Sequence, residues 1–189
     1  LNGTVDTDTS TGISLTTKNL VVNASITTSN NGTVTFNESG TITIASTGDI
    51  NADGAVSLTA TGGISTAGDI TTSSDNITFQ SATSLTGDVS LSSTGGDIKF
   101  ASTLNGSKNL SLTADSGNVF FNNNVGTSSR LGDITIVSAK DVTATKITAA
   151  SLTQSAGTGT TTLNGAVDTD TATGISLTTK NLAVNASIT

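Results

Sequence analysis

The stretch VSLTATGGISTAGDITTSSDNITF (56–79) decides the fold. It opens on Val56-Ser57-Leu58 and closes on Ile77-Thr78-Phe79, two apolar–polar–apolar triplets that frame it. In each triplet the outer residues face one side and the middle residue the other, the period-two alternation of a half-buried strand. Two lesser apolar points, Ile64 and Ile70, fall between them, the second announced by the turn-forming pair Gly68-Asp69. No helical spacing of 3.6 competes with this pattern. Three short strands in about 20 residues, returning each time to a strand of the same kind, read as one coil of a β-solenoid.

The same beat runs in both directions from this stretch. Upstream stand Ile13-Ser14-Leu15 and Val34-Thr35-Phe36. Downstream come Val89-Ser90-Leu91, Ile98-Lys99-Phe100, Leu110-Ser111-Leu112, Ile134-Thr135-Ile136 and Ile175-Ser176-Leu177. Lesser strands lie between, among them Leu20-Val21-Val22, Ile42-Thr43-Ile44, Val119-Phe120-Phe121 and Val142. β-Branched residues and Phe fill the inner positions, as strands prefer. Gly-Asp or Gly-Asn corners recur at Gly48-Asp49, Gly87-Asp88, Gly96-Asp97, Gly117-Asn118 and Gly132-Asp133. The expected fold is all-β: a right-handed parallel β-solenoid with three short strands per coil. From Ile77 to Leu110 the spacing is looser and reads as one long coil with an insertion or as two short ones. The chain has no Pro, as a stack requires when every interior N–H must join a ladder. Asn and Ser at recurring corners are expected to form like-on-like hydrogen-bonded columns along the axis. The outward pairs Ser14/Thr16, Ser57/Thr59, Ser111/Thr113 and Ser176/Thr178 are expected to stack into one flat hydroxyl-bearing face. The regular Thr columns of an ice-binding solenoid are a poorer match, because Asn37, Gln80 and Lys99 interrupt them.

A longer period contains the short one. LNGTVDTDTSTGISLTTKNLVVNASIT (1–27) returns as LNGAVDTDTATGISLTTKNLAVNASIT (163–189), so that Leu163 restarts what Leu1 began. Only Thr4/Ala166, Ser10/Ala172 and Val21/Ala183 differ. Residues 1–162 are therefore read as one tandem repeat, about seven to eight coils long, and 163–189 as the start of the next copy. Such an array is expected to join copies end to end, with rods lying side by side.

Composition narrows the function. There is no His, Cys, Trp, Tyr or Met, and 11% of residues are charged. The common nucleophile–base pairs and the nitrogen or sulfur metal sites cannot be assembled from this set. Thr makes up about a fifth of the chain. A net charge of −7 argues against a nucleic-acid partner. No apolar run approaches the roughly 18 residues of a bilayer span, so membrane insertion is not expected. Asp6-Thr7-Asp8-Thr9-Ser10-Thr11-Gly12, echoed at 168–174, has the look of an opening calcium loop. It lacks the closing bidentate Glu, since Glu38 is the only glutamate, so an Asp/Thr turn is the better reading and no cofactor is expected, calcium being the one candidate. A solenoid polysaccharide lyase or glycosidase would need clustered carboxylates or a basic group beside aromatic platforms. Arg130 is the only arginine and no such cluster is visible, so no catalytic, cofactor-binding or metal-ligating residue is named and no enzymatic activity is expected.

The segment GSKNLSLTADSGNVFFNNNVGTSSRLGDITIVSAKDVTATKITAASLTQSAGTGTTTLNGAVDTDTATGISLTT (106–179) resembles the long repeats of giant bacterial surface proteins similar to filamentous haemagglutinin-type adhesins. The motifs are Gly-Ser-Lys-Asn-Leu-Ser-Leu at 106–112, Gly117 to Phe121, Val125-Gly126, Leu131 to Thr135 and Ser151 to Gln154. The resemblance is clearest over these residues, about two-fifths of the chain, and looser in residues 28–105. It implies an extracellular location, secretion across a bacterial outer membrane, and a structural role in a surface filament or matrix fibre. An alternative within it is a stalk that projects a separate binding tip toward cell-surface glycans or other cells.

Overall fold

Strands that are apolar on one side need a cover, and this chain supplies it by winding back over itself. The computed structural model describes residues Leu1–Thr189 and contains 24 strands and no helix. Every strand pairing is parallel and joins residues about one coil apart, as in Val56 to Ile77 and Ile77 to Ile98. The result is a parallel β-solenoid of nine coils with three faces.

The first face begins with Val5–Thr7, Ile26–Thr28, Ile50–Ala52 and Ile70–Thr72, and ends at Ile175–Leu177. The second runs without a break from Ile13–Leu15 through Val34–Glu38, Val56–Ala60, Ile77–Phe79, Ile98–Phe100 and Val119–Phe121 to Asn181–Val184. The third stacks Leu20–Val22, Ile42–Ile44, Ile64–Thr66, Thr83–Leu85 and Leu104–Asn105, then continues through Val125, Ile147, Val167 and Ile188. Near the far end, Leu131–Ser138 and Ile147–Gln154 are eight residues each and turn the corner from third face to first, fusing the two into one sheet.

Inward residues form one unbroken core of 40 buried hydrophobic side chains. Because coils are in register, like stacks on like. Phe36, Leu58, Phe79, Phe100 and Phe121 form one inner column of the second face. The Phe79 and Phe100 rings stack at 4.9 Å between centroids, and Phe100 and Phe121 at 5.7 Å with planes 3° apart. Each ring covers the next, which a single coil cannot do for itself.

Three details of the sequence reading change. The triplets at 89, 110, 134 and 175 do not share a face with those at 13, 34, 56, 77 and 98: they lie on the first face, the others on the second. Consequently the stretch from Ile77 to Leu110 contains no insertion and no pair of short coils. Ile77 pairs with Ile98 and Ile98 with Val119, each step being one ordinary coil. The outward hydroxyl pairs also divide, Ser14 and Ser57 falling on the second face, Ser111 and Ser176 on the first. On the second face the outward column Ser14, Thr35, Ser57, Thr78 gives way to Lys99 and Phe120. No single flat hydroxyl face results.

Candidate functional site

The polar corners are the most ordered chemistry on the surface. Ahead of the first face, Asp49, Asp69, Asp88, Asn109 and Asp133 line one corner at the Gly-Asp and Lys-Asn turns. The backbone N–H of Asp69 donates to Asp49 Oδ1 at 2.9 Å, and that of Ser90 to Asp69 Oδ1 at 2.8 Å. Asn109 N–H donates to Asp88 Oδ1, and Asp133 N–H to Asn109 Oδ1, each at 2.9 Å. A second ladder climbs the corner ahead of the second face. There Asp97 N–H donates to Asn76 Oδ1 at 2.8 Å, Asn118 N–H to Asp97 Oδ1 at 2.9 Å and Thr160 N–H to Asp141 Oδ1 at 2.6 Å. Each side-chain oxygen thus satisfies a backbone donor one coil on, at the corner or in the first residues of the strand that follows it. The columns run along the axis as expected of Asn and Ser, but they are built of Asp and Asn mixed rather than of like on like.

Asp69, Asp88, Asn109 and Asp133 also line a shallow open groove on the first face. Each Asp there accepts from the next coil: Asp69 from Ser90 N–H, Asp88 on both oxygens from Asn109, and Asp133 from the Ser151 hydroxyl at 2.7 Å. No group of three or more His, Cys, Asp or Glu side chains is placed to hold a metal ion. In the second copy of the Asp/Thr loop, Asp168 and Asp170 meet a cation from the protein itself. Arg130 Nη2 lies 3.0 Å from Asp168 Oδ1 and its Nε 3.2 Å from Asp170 Oδ2. Arg130 Nη1 also donates to the carbonyls of Ala149 and Asp168, at 2.7 and 3.1 Å. One guanidinium therefore spans three successive coils, using the fork geometry that lysine lacks.

Two carboxylates have unusual settings. Asp53 accepts from Asn31 N–H at 2.8 Å and from the Ser73 hydroxyl at 2.6 Å. The backbone bond first, and the hydroxyl second, hold its carboxyl below the usual aspartate value. Glu38 is 1% exposed and points inward at the end of its strand. Its Oε2 accepts from Thr17 N–H at 2.5 Å and from Thr17 Oγ1 at 2.6 Å, while Oε1 is buried with no partner.

The inward burial of Glu38 and the ion pairs of Arg130 were not expected from the sequence. The first had a signal: counting by two from Val34 and Phe36 puts residue 38 inward. The second had none, because Arg130 and Asp168 are far apart in the chain and meet only once the coils are stacked. Phe120 is an aromatic set on the outer side of the second face, beside Lys99, Gln80 and Asn122 in a shallow polar groove.

No protein family, curated protein or solved structure matches the chain. No helix is long and apolar enough to cross a membrane.

Proposed function

We propose that this chain is a structural segment of a long β-solenoid fibre and that its work is mechanical. The observation that carries the reading is the return of residues 1–27 at 163–189 inside one uninterrupted stack. A solenoid built this way has no internal reason to stop, and its stability sums over neighbouring coils. Continuous ladders and a continuous core make a stiff rod that exposes few backbone groups to proteases. Its partners are further copies of itself, end to end and side by side. The resemblance of residues 106–179 to bacterial surface repeats supports a fibre outside the cell, on a bacterial surface or in its matrix.

Cryo-electron microscopy of the native material tests this. Long uniform filaments with a layer spacing of about 4.8 Å, the distance between paired strands, are expected. Short rods ending in a distinct globular head would replace the fibre with a stalk and move the binding function to that head. Isolated particles no longer than this segment would overturn both.

A further inference from the structure

The ladders show that the second copy of the repeat does not sit above the first. Val5 is on the first face, and its column climbs through Ile26, Ile50, Ile70, Leu91, Leu112 and Ile136 to Gln154. Its counterpart Val167 is on the third face, on top of Ile147. Ile13 is on the second face beside Val34, whereas Ile175 is on the first beside Leu152. Leu20 is on the third face beside Ile42, whereas Leu182 is on the second beside Thr161. All three have moved back by one face.

Local structure is unchanged by the move. Asn23 Nδ2 donates to Asn2 Oδ1 at 2.8 Å, and the counterpart Asn185 donates to Asn164 at 2.9 Å. Gly12 and Gly174 close the same turn with φ of 63° and 57°, a left-handed conformation that glycine adopts without a Cβ penalty. The shift is therefore a property of the repeat length: the chain from Leu1 to the restart at Leu163 fills seven and two-thirds coils.

We propose that tandem copies, on the fibre reading above, are joined as a three-step screw, each copy set one face round the axis from the copy before. Three copies make 23 coils and restore the starting azimuth after roughly 110 Å at the interstrand spacing. On this reading the join lies inside the stack, where the second copy starts at Leu163, and the last coil is covered by that same copy's counterpart of residues 28–52. In the first copy Leu20, Val22 and Ile26 are 6%, 0% and 0% exposed, covered by Ile42, Ile44 and Ile50. Their counterparts Leu182, Val184 and Ile188 are 51%, 42% and 46% exposed, an apolar edge that the same cover fits. Arg130 pins the junction from below, its partners Asp168 and Asp170 being the first acids of the second copy. Asp6 and Asp8, their counterparts in the first copy, stand at the opposite edge, where the Arg130 of a preceding copy would reach them. A group carried once per copy, such as Phe120, then faces outward from the second, first and third faces in turn. A parallel rod approaching from any side meets the same chemistry.

Disulfide trapping tests the placement, and the absence of native cysteine makes each double variant report one pairing. Thr153 and Ser176 are register partners with outward side chains, and neighbouring parallel strands hold Cα atoms within disulfide range. On oxidation of the 189-residue chain, Thr153→Cys/Ser176→Cys is expected to cross-link, as is the first-copy control Ser14→Cys/Thr35→Cys. Thr162→Cys/Ser176→Cys is expected to keep both thiols free. Linkage of the 162/176 pair in place of the 153/176 pair would put the second copy above the first and overturn the screw. So would failure of both pairs while the control links. Circular dichroism of each variant checks that the β-structure is intact. The outcome is independent of whether native material forms filaments, so the screw and the fibre fail separately.

Discussion

At the scale of single residues, the core is sensitive where like stacks on like. Phe100 is sandwiched between Phe79 and Phe121, so Phe100→Ala removes two ring contacts and leaves a cavity that no neighbour can fill. A loss of about 3–5 kcal/mol is expected in denaturant unfolding. A loss of under about 1 kcal/mol would mean the column repacks freely. Glu38 poses the opposite problem, a buried carboxyl group in an apolar row. Glu38→Ala strands the Thr17 N–H as well as opening space, and a cost of roughly 1–3 kcal/mol is expected. Glu38→Gln keeps one acceptor for Thr17 and should cost less; equal losses would show that Thr17 is not the partner that matters. Asp53 gives a pH signature. Its carboxyl is held below the ordinary value of 3.8 by Asn31 N–H and then Ser73. A depressed acid contributes stability that is whole above the unfolded value and is lost as pH falls through the folded one. A carboxyl-carbon NMR titration should therefore place the Asp53 midpoint below 3.8, and Ser73→Ala should move it upward. A wild-type midpoint at or above 3.8 would contradict the two hydrogen bonds.

Strands and corners were legible in the sequence; their assignment to faces was not. Val34-Thr35-Phe36 announces a strand because period-two burial and β-branched residues coincide there, and Gly96-Asp97 announces a corner because both residues suit turns. Face assignment has no such marker. Val89-Ser90-Leu91 and Ile98-Lys99-Phe100 look alike, follow one another closely and sit on successive faces. Coil length does not help either, since on the first face the coil from Ile26 to Ile50 is longer than the one from Ile50 to Ile70. The corners absorb such differences without disturbing the strands. Where they pass close to one another they are also tight. A Cβ at Gly96 would run into the Asp75 carbonyl, and one at Gly117 into the Gly96 carbonyl. Gly96→Ala is thus expected to destabilise by about 1–3 kcal/mol, whereas Gly3→Ala, with open space around it, should be silent. Equal stability of the two variants in a denaturant titration would remove the close approach from the account.

Across the whole molecule, stability belongs to pairs of neighbouring coils. Hydrogen exchange is expected to be slowest in the coils around Ile77–Phe79 and Ile98–Phe100, and fastest in the first and last coils, whose outer edges have no neighbour. The Arg130 clamp is only partly buried, at 31% exposure, so Arg130→Gln should shift overall stability by less than about 1 kcal/mol. It should still speed exchange at Val167–Thr169 while leaving Ile77–Phe79 unchanged. A uniform change along the chain would show that the arginine acts globally. The two-thirds of a coil left over in each repeat has a further consequence for inheritance. Near-identical stretches such as 1–27 and 163–189 invite recombination, which adds or deletes whole copies. In a rod joined as proposed, each gain or loss would leave the core continuous but swing everything beyond the event by a third of a turn. The length of such an array would then set the direction its far end faces, with copy number counted in threes.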